Sequence, residues 1–238
     1  MTDLQSFPHP SVAVDLAVLC VEDGALFCLL MRRDDAARVG GDWALPGGFV
    51  HMGEAPETTV ARVLADKTGL GPGIHFEQLA TYGAPGRDPR GHVISITHIA
   101  IAPAEALRAG IADKPELTLA RITVDWPGET GGPARALAQD GAALGLAFDH
   151  ATILGDMVKR LRGKLDYTDI GFAFLPRRFT LRAVQEVHEA ILGHPLKAPP
   201  FRRKLTDRHA LRPTGRHQTG GAFRPAELFE LISKPEKE

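Results

Sequence analysis

Apolar and β-branched residues fill positions 12–21 and again 25–31, with Glu22, Asp23 and Gly24 between them. Two such runs around a glycine-containing turn predict a β-hairpin, with Gly24 taking the positive φ of the turn. A polar stretch opens at Arg32 and Arg33 and ends in the run from Trp43 to Val50. Pro56 then precedes residues 57–67, where Val60, Val63 and Leu64 recur at helical spacing before Gly69. This is an amphipathic helix with its own start and stop signals. Strands are predicted over 76–82, 92–102 and 117–124. A second helix is predicted over 148–165, where Ile153, Leu154, Met157, Val158 and Leu161 form one stripe. Strands mixed with two helices predict an α/β sandwich.

Beyond residue 165 the texture changes. Residues 181–192 read as a helix capped by Thr180 and stopped by Gly193. A second helix is predicted over 199–208, a glycine-tipped hairpin over 211–224 and a closing helix over 225–232. Two helices followed by a basic hairpin form the winged variant of helix-turn-helix. The expected organisation is an α+β chain with one domain over 1–165 and a second over 166–238. No internal repeat is visible, and the tail 234–238 is expected to fray.

Composition adds limits. A chain of 238 residues is comfortable for two domains, and 44% hydrophobic content supplies a core. No run of about 18 apolar residues is present, and the start of the chain lacks the basic-then-apolar order of a secretory signal. Cys20 and Cys28 lie inside apolar runs and are expected to be buried thiols of a cytoplasmic protein. The net charge of −1 hides an asymmetry: residues 171–238 hold 13 Lys/Arg against 7 Asp/Glu, a local +6, and the remainder carries −7. Such a split suggests a basic module that meets a polyanion. The ten histidines show no pair at ligand spacing with a carboxylate, so no zinc site is expected.

Candidate chemistry centres on residues 48–70. Gly48, Glu54, Arg62, Leu64, Gly69 and Leu70 fall at the offsets of the Nudix box, led in by Leu45, Pro46 and Gly47. The segment therefore resembles the Nudix family. In that family's pattern a glycine-rich loop and helix N-terminus receive a diphosphate, and glutamates on one helix face hold Mg²⁺ to activate water. Here Val63, Asp66 and Lys67 stand where three of the glutamates belong. No catalytic residues are expected. The residual set Glu54, Glu57 and Asp66 is expected to bind Mg²⁺ weakly or not at all, with Arg62 as a box remnant, and no cofactor is required. A second candidate is the loop holding Arg87, Asp88 and Arg90, whose guanidinium forks match phosphate oxygens. On spacing alone an ordinary polar turn with a surface ion pair is the favoured description of that loop.

This loop, the altered box, the stretch 165–176 and the run Phe201, Arg202, Arg203 and Lys204 together resemble the Nudix-related transcriptional regulators of NAD metabolism. The resemblance extends over nearly the whole chain, from about Val12 to Ile232. It implies a Nudix-like domain that binds ADP-ribose, a winged helix that binds double-stranded operator DNA, and a homodimer whose DNA is released by the effector. It places the effector among Arg32, Arg33, Trp43, Gly47, Gly48 and Phe49. Glu54, Arg62, Arg87, Asp88 and Arg90 complete that expected set. DNA contacts are expected from Arg202, Arg203 and Lys204 at the start of a helix, and from Arg212, Thr214, Arg216 and His217 in the wing. The expected function is a repressor sensing ADP-ribose or a related nucleotide. The alternative is an active ADP-ribose pyrophosphatase-like hydrolase with an accessory domain.

Overall fold

The computed structural model describes residues 7–33, 41–218 and 225–232. The tip of the expected wing, part of the polar loop after Arg33 and the tail 234–238 lie outside the described residues. The hairpin strands are β1 (Ser11–Glu22) and β2 (Ala25–Arg32), paired antiparallel. Short strands β3 (Trp43–Ala44) and β4 (Gly47–Phe49) lie against β2 and β1. Helix α1 (Pro56–Val63) follows. Then come β5 (His75–Tyr82), β6 (Val93–Ile101), α2 (Ala104–Ile111), β7 (Leu117–Thr123), β8 (Arg135–Leu137), β9 (Ala143–Leu144) and α3 (His150–Lys164). The sheet runs β5-β6-β1-β2-β7-β8-β9, with β1 and β6 parallel.

Alternation along β1 and β2 builds two cores. Ala17, Leu19, Cys28 and Leu30 pack with Ile153, Met157 and Leu161 of α3. Leu16, Val18, Cys20 and Leu29 pack with Val60 and Val63 of α1 and Leu107 of α2. This is the expected sandwich, helices on both faces of one sheet. Cys20 and Cys28 are buried free thiols on opposite sides of it.

The helix expected over 57–67 is not uniform. Helix α1 ends at Val63, and Leu64–Thr68 continues as a π-helical turn. The Thr68 hydroxyl donates to the Leu64 carbonyl and accepts from the Leu70 amide, which stabilises the wider turn. Gly69, at φ +71°, closes it where an added Cβ would lie 2.9 Å from the Gly110 carbonyl oxygen. The helix expected from Phe148 begins at His150, because Phe148 itself is left-handed at φ +55°. Helix α2 and strands β8 and β9 had no clear periodic signal.

The second half contains a 3₁₀ turn (Ile170–Phe174), α4 (Leu181–Leu192), α5 (Ala198–Arg208), β10 (Leu211–His217) and β11 (Glu227–Leu231). Thr180 caps α4 by accepting from the Ala183 amide, and Gly193 ends it at φ +78°. Such a cap contributes about 1 kcal/mol. The segment 225–232, expected to be helical, is the strand β11. Glu and Leu favour helix, but Phe229 exchanges both backbone hydrogen bonds with Phe179, and Phe229 and Leu231 pack at period two onto the Phe172, Phe179 and Leu205 core. Tertiary pairing overrides propensity there. The hairpin is therefore not contained within 211–224: β10 pairs with β11, Leu211 opposite Leu231. The segment 163–170 is anchored by Leu165 and Ile170, which lie in the core with Val187 and Ile191 of α4.

Candidate functional site

Strand β4 is pulled close onto β1: a Cβ on Gly47 would lie 2.5 Å from Asp15 Oδ1 and 2.7 Å from the Val14 carbonyl oxygen. Only glycine fits at that register. The Leu45 amide donates to His150 Nδ1 at 3.0 Å, tying the lead-in of the box to α3. Burial lowers the His150 pKa, so the ring is neutral and accepts through Nδ1. Above this floor is a cavity of about 790 Å³, lined by β4, the loop after β5 and the residues around Phe148. That volume suits a drug- or nucleotide-sized ligand. Five cations line it, Arg32, Arg33, Lys67, Arg87 and Arg90, against three carboxylates, Asp15, Asp88 and Glu116. The balance favours an anion.

The two loop arginines have different roles. The Arg87 side chain is 5% exposed and grips both oxygens of Asp149, at 2.9 and 2.6 Å, with Asp15 at 3.4 Å. Burial opposes its charge, but these carboxylates outweigh burial and raise its pKa. Ser95 donates to the same Asp15 oxygen at 2.6 Å. Arg87 thus frames the cavity, since its fork is already matched. Arg90 pairs with Asp88 as a polar turn would have it, at 2.7 Å, and its guanidinium holds the Asp88 pKa below the usual range. The ring of Phe148 lies 4.5 Å from the Arg33 guanidinium carbon and 5.8 Å from that of Arg90. Both distances are in cation–π range. A bulky residue held left-handed is a strained feature of the kind that collects at binding sites.

Of the expected effector residues, Arg32, Arg33, Gly47, Gly48, Phe49, Arg87, Asp88 and Arg90 line the cavity. Trp43 does not: its ring packs against the core, while its backbone pairs with Gly145 and Ala147. Glu54 and Arg62 are also off the lining. Arg62 donates to both Glu54 oxygens, at 2.9 and 2.8 Å, and to the Phe49 carbonyl. The Arg62 guanidinium, helped by the His51 amide, holds the Glu54 carboxyl down at about 2. Val63 is in the apolar core, and Glu57 and Asp66 are exposed. Among the described residues, no three Asp, Glu, His or Cys side chains gather as a metal site would require. Lys67 instead points to the cavity and donates to the Gly47 carbonyl. Burial lowers its pKa, partly opposed by Asp15. Asp15, Lys67, Phe148 and His150 were not anticipated as lining residues. Two of these left a sequence signal: Asp15 is a lone charge inside an apolar strand, and Lys67 stands at a glutamate position of the box.

The second half carries a basic face. Arg202, Arg203 and Lys204 lie in the second turn of α5 and not at its start, because the prolines at 199 and 200 occupy the first turn. Arg203 is 86% exposed and only 3.9 Å from Asp207, whereas Lys204 is held by Asp166 at 2.6 Å. In the wing, Arg216 and His217 are exposed, and Thr214 donates to the Leu228 carbonyl. Glu230 collects three arginines that sequence did not link: Arg178 at 3.1 Å, Arg212 at 3.0 Å and Arg177 at 3.6 Å. The hydrogen bonds from Arg212 and then Arg178 lower its pKa.

Residues 9–127 match the NUDIX domain family, and residues 171–231 match the family described as the NrtR DNA-binding winged helix domain. The chain is 31% identical over 228 residues to the ADPR responsive transcriptional repressor NtrR of Acinetobacter baylyi, covering 94% of this chain and 83% of that protein. It is 42% identical over 102 residues to an ADP-ribose pyrophosphatase of Methanocaldococcus jannaschii, covering 43% of this chain and 57% of that protein. The crystal structure of Shewanella oneidensis NrtR complexed with a 27mer DNA superposes with a TM-score of 0.75 at 32% identity, over 93% of each chain. With a Nudix sandwich, an altered box and a basic winged helix in one polypeptide, the chain belongs to the NrtR family of Nudix-type transcriptional regulators.

Proposed function

We propose that this protein is an operator-binding repressor of NAD-metabolism genes, released from DNA by ADP-ribose, that acts as a homodimer in the cytoplasm. The observation that carries it is the pairing, in one chain, of a cavity lined by five cations with a basic winged helix. Helix α5 would enter the major groove and the wing would follow the backbone. The relative from A. baylyi, named as an ADPR-responsive repressor, supports both the effector and the sign of regulation. Its role as a repressor also supports a cytoplasmic location, and no helix among the described residues is long and apolar enough to cross a membrane. A ligand shifts only states that it binds differently, so ADP-ribose must favour an arrangement of the two winged helices that misfits the half-sites.

The identity to an ADP-ribose pyrophosphatase favours a second description, a working hydrolase. The box geometry argues against it, with Val63 buried in the core and Glu54 bound by Arg62. A gel-shift with the DNA upstream of the chain's own gene, with and without ADP-ribose, tests the proposal. Retardation reversed by ADP-ribose is expected. No retardation of any fragment at moderate salt sinks it, and release of AMP from ADP-ribose in Mg²⁺ would reinstate the hydrolase.

A further inference from the structure

The divalent ion implied by the Nudix box does not fit this site. Glu54 spends both carboxylate oxygens on Arg62. Val63 is sealed in the apolar core beneath Gly48, its Cγ2 only 3.1 Å from where a Gly48 Cβ would stand. Asp66 and Glu57 are exposed and are not among the residues lining the cavity. One box residue of the π-helical turn does reach the cavity, and it is a cation: Lys67, anchored through its ammonium to the Gly47 carbonyl. An ammonium carries three donors, so the anchored group still has N–H bonds to offer. The anchor matters because a free lysine loses rotamer entropy when it is ordered on a ligand.

We propose that Lys67 gives the effector's diphosphate the positive charge that a metal ion supplies in an intact box, so that this chain binds ADP-ribose without metal and leaves its phosphoanhydride bond uncut. The inference rests on the cavity being the effector site. One ammonium neutralises phosphate charge but, unlike a bound divalent ion, cannot coordinate and acidify a water molecule. The same residue therefore keeps the ligand bound and removes the means of hydrolysing it. A sensor gains from this, because its signal is neither consumed nor dependent on Mg²⁺.

The test is titration calorimetry of the full-length protein with ADP-ribose, in EDTA and in Mg²⁺. The wild type is expected to bind equally in both. Lys67→Met should weaken binding by about tenfold or more in both buffers, close to 1.4 kcal/mol, and Lys67→Arg should restore most of it. Retained gel-shift of operator DNA shows that each variant is folded. Wild-type affinity that collapses in EDTA overturns the inference, as does a Lys67→Met variant that binds like the wild type. If ADP-ribose fails to bind the wild type in either buffer, the effector assignment falls and this inference falls with it.

Discussion

Single side chains decide what the altered box is. The Arg62–Glu54 pair joins the loop after β4 to α1, and the depressed Glu54 pKa makes it a source of pH-dependent stability. A carboxyl near 2 when folded and 4.5 when unfolded binds more protons in the unfolded state between those values. Its contribution is therefore complete above about pH 4.5 and is lost as pH falls towards 2. In acid titrations followed by circular dichroism, Glu54→Gln should flatten the loss of stability across that window relative to wild type. An unchanged slope would mean that the pair does not form in solution. Such pairings are poorly legible in sequence. Gly47, Gly48 and the arginine loop were visible because glycine and guanidinium report special needs at fixed offsets. Lys67 was visible too, as a cation at a glutamate position of the box, but Phe148 was not, because its role comes from a left-handed backbone that no periodicity announces.

At the level of elements, α3 and α4 were legible because each carries one long apolar stripe, and β1 and β2 because their apolar runs flank a glycine turn, whereas α2 was not. The wing was half legible. Its outgoing strand β10 was evident, but the returning strand β11 has a helix-like composition, because a five-residue strand of Glu, Leu and Phe gives propensity little to contradict. Only the distant Phe179 settles it. Division of labour within the basic face follows from pairing. Arg202 and Arg203 are exposed, while Lys204, Arg212 and Arg178 already hold carboxylates. Arg202→Ala with Arg203→Ala should leave the thermal midpoint within a few degrees, as surface changes usually cost under about 0.5 kcal/mol. Fluorescence anisotropy should nonetheless show operator affinity falling at least about tenfold, near 1–3 kcal/mol for each lost base contact. Undiminished affinity would move the recognition surface away from α5.

Across the whole molecule, the cation-lined cavity and the winged helix meet at one long element. The N-terminal end of α3 carries His150 and follows Phe148 and Asp149. Near its other end Arg162 donates to the Ile191 carbonyl of α4 at 2.9 Å and to the Gly128 carbonyl at 2.8 Å, and stacks 5.0 Å from Trp126. Burial lowers the Arg162 pKa, but a guanidinium stays charged in proteins. Arg162→Met is expected to leave ADP-ribose affinity near wild type and to cost about 1–3 kcal/mol of stability. It should also shrink the effect of ADP-ribose on DNA affinity by about tenfold, a loss of coupling and not of binding. Equal coupling in the variant, read by anisotropy with saturating ADP-ribose, would acquit this contact. The geometry of α3 gives a sense of gain. At 15 residues and about 1.5 Å per residue, the helix is about 22 Å long. A tilt of about 5° pivoting at Phe148 would sweep its far end by about 2 Å. That matches the shifts of about 1–2 Å by which packed helices move between states, so a small tilt of α3 at the cavity would be felt at its contact with α4.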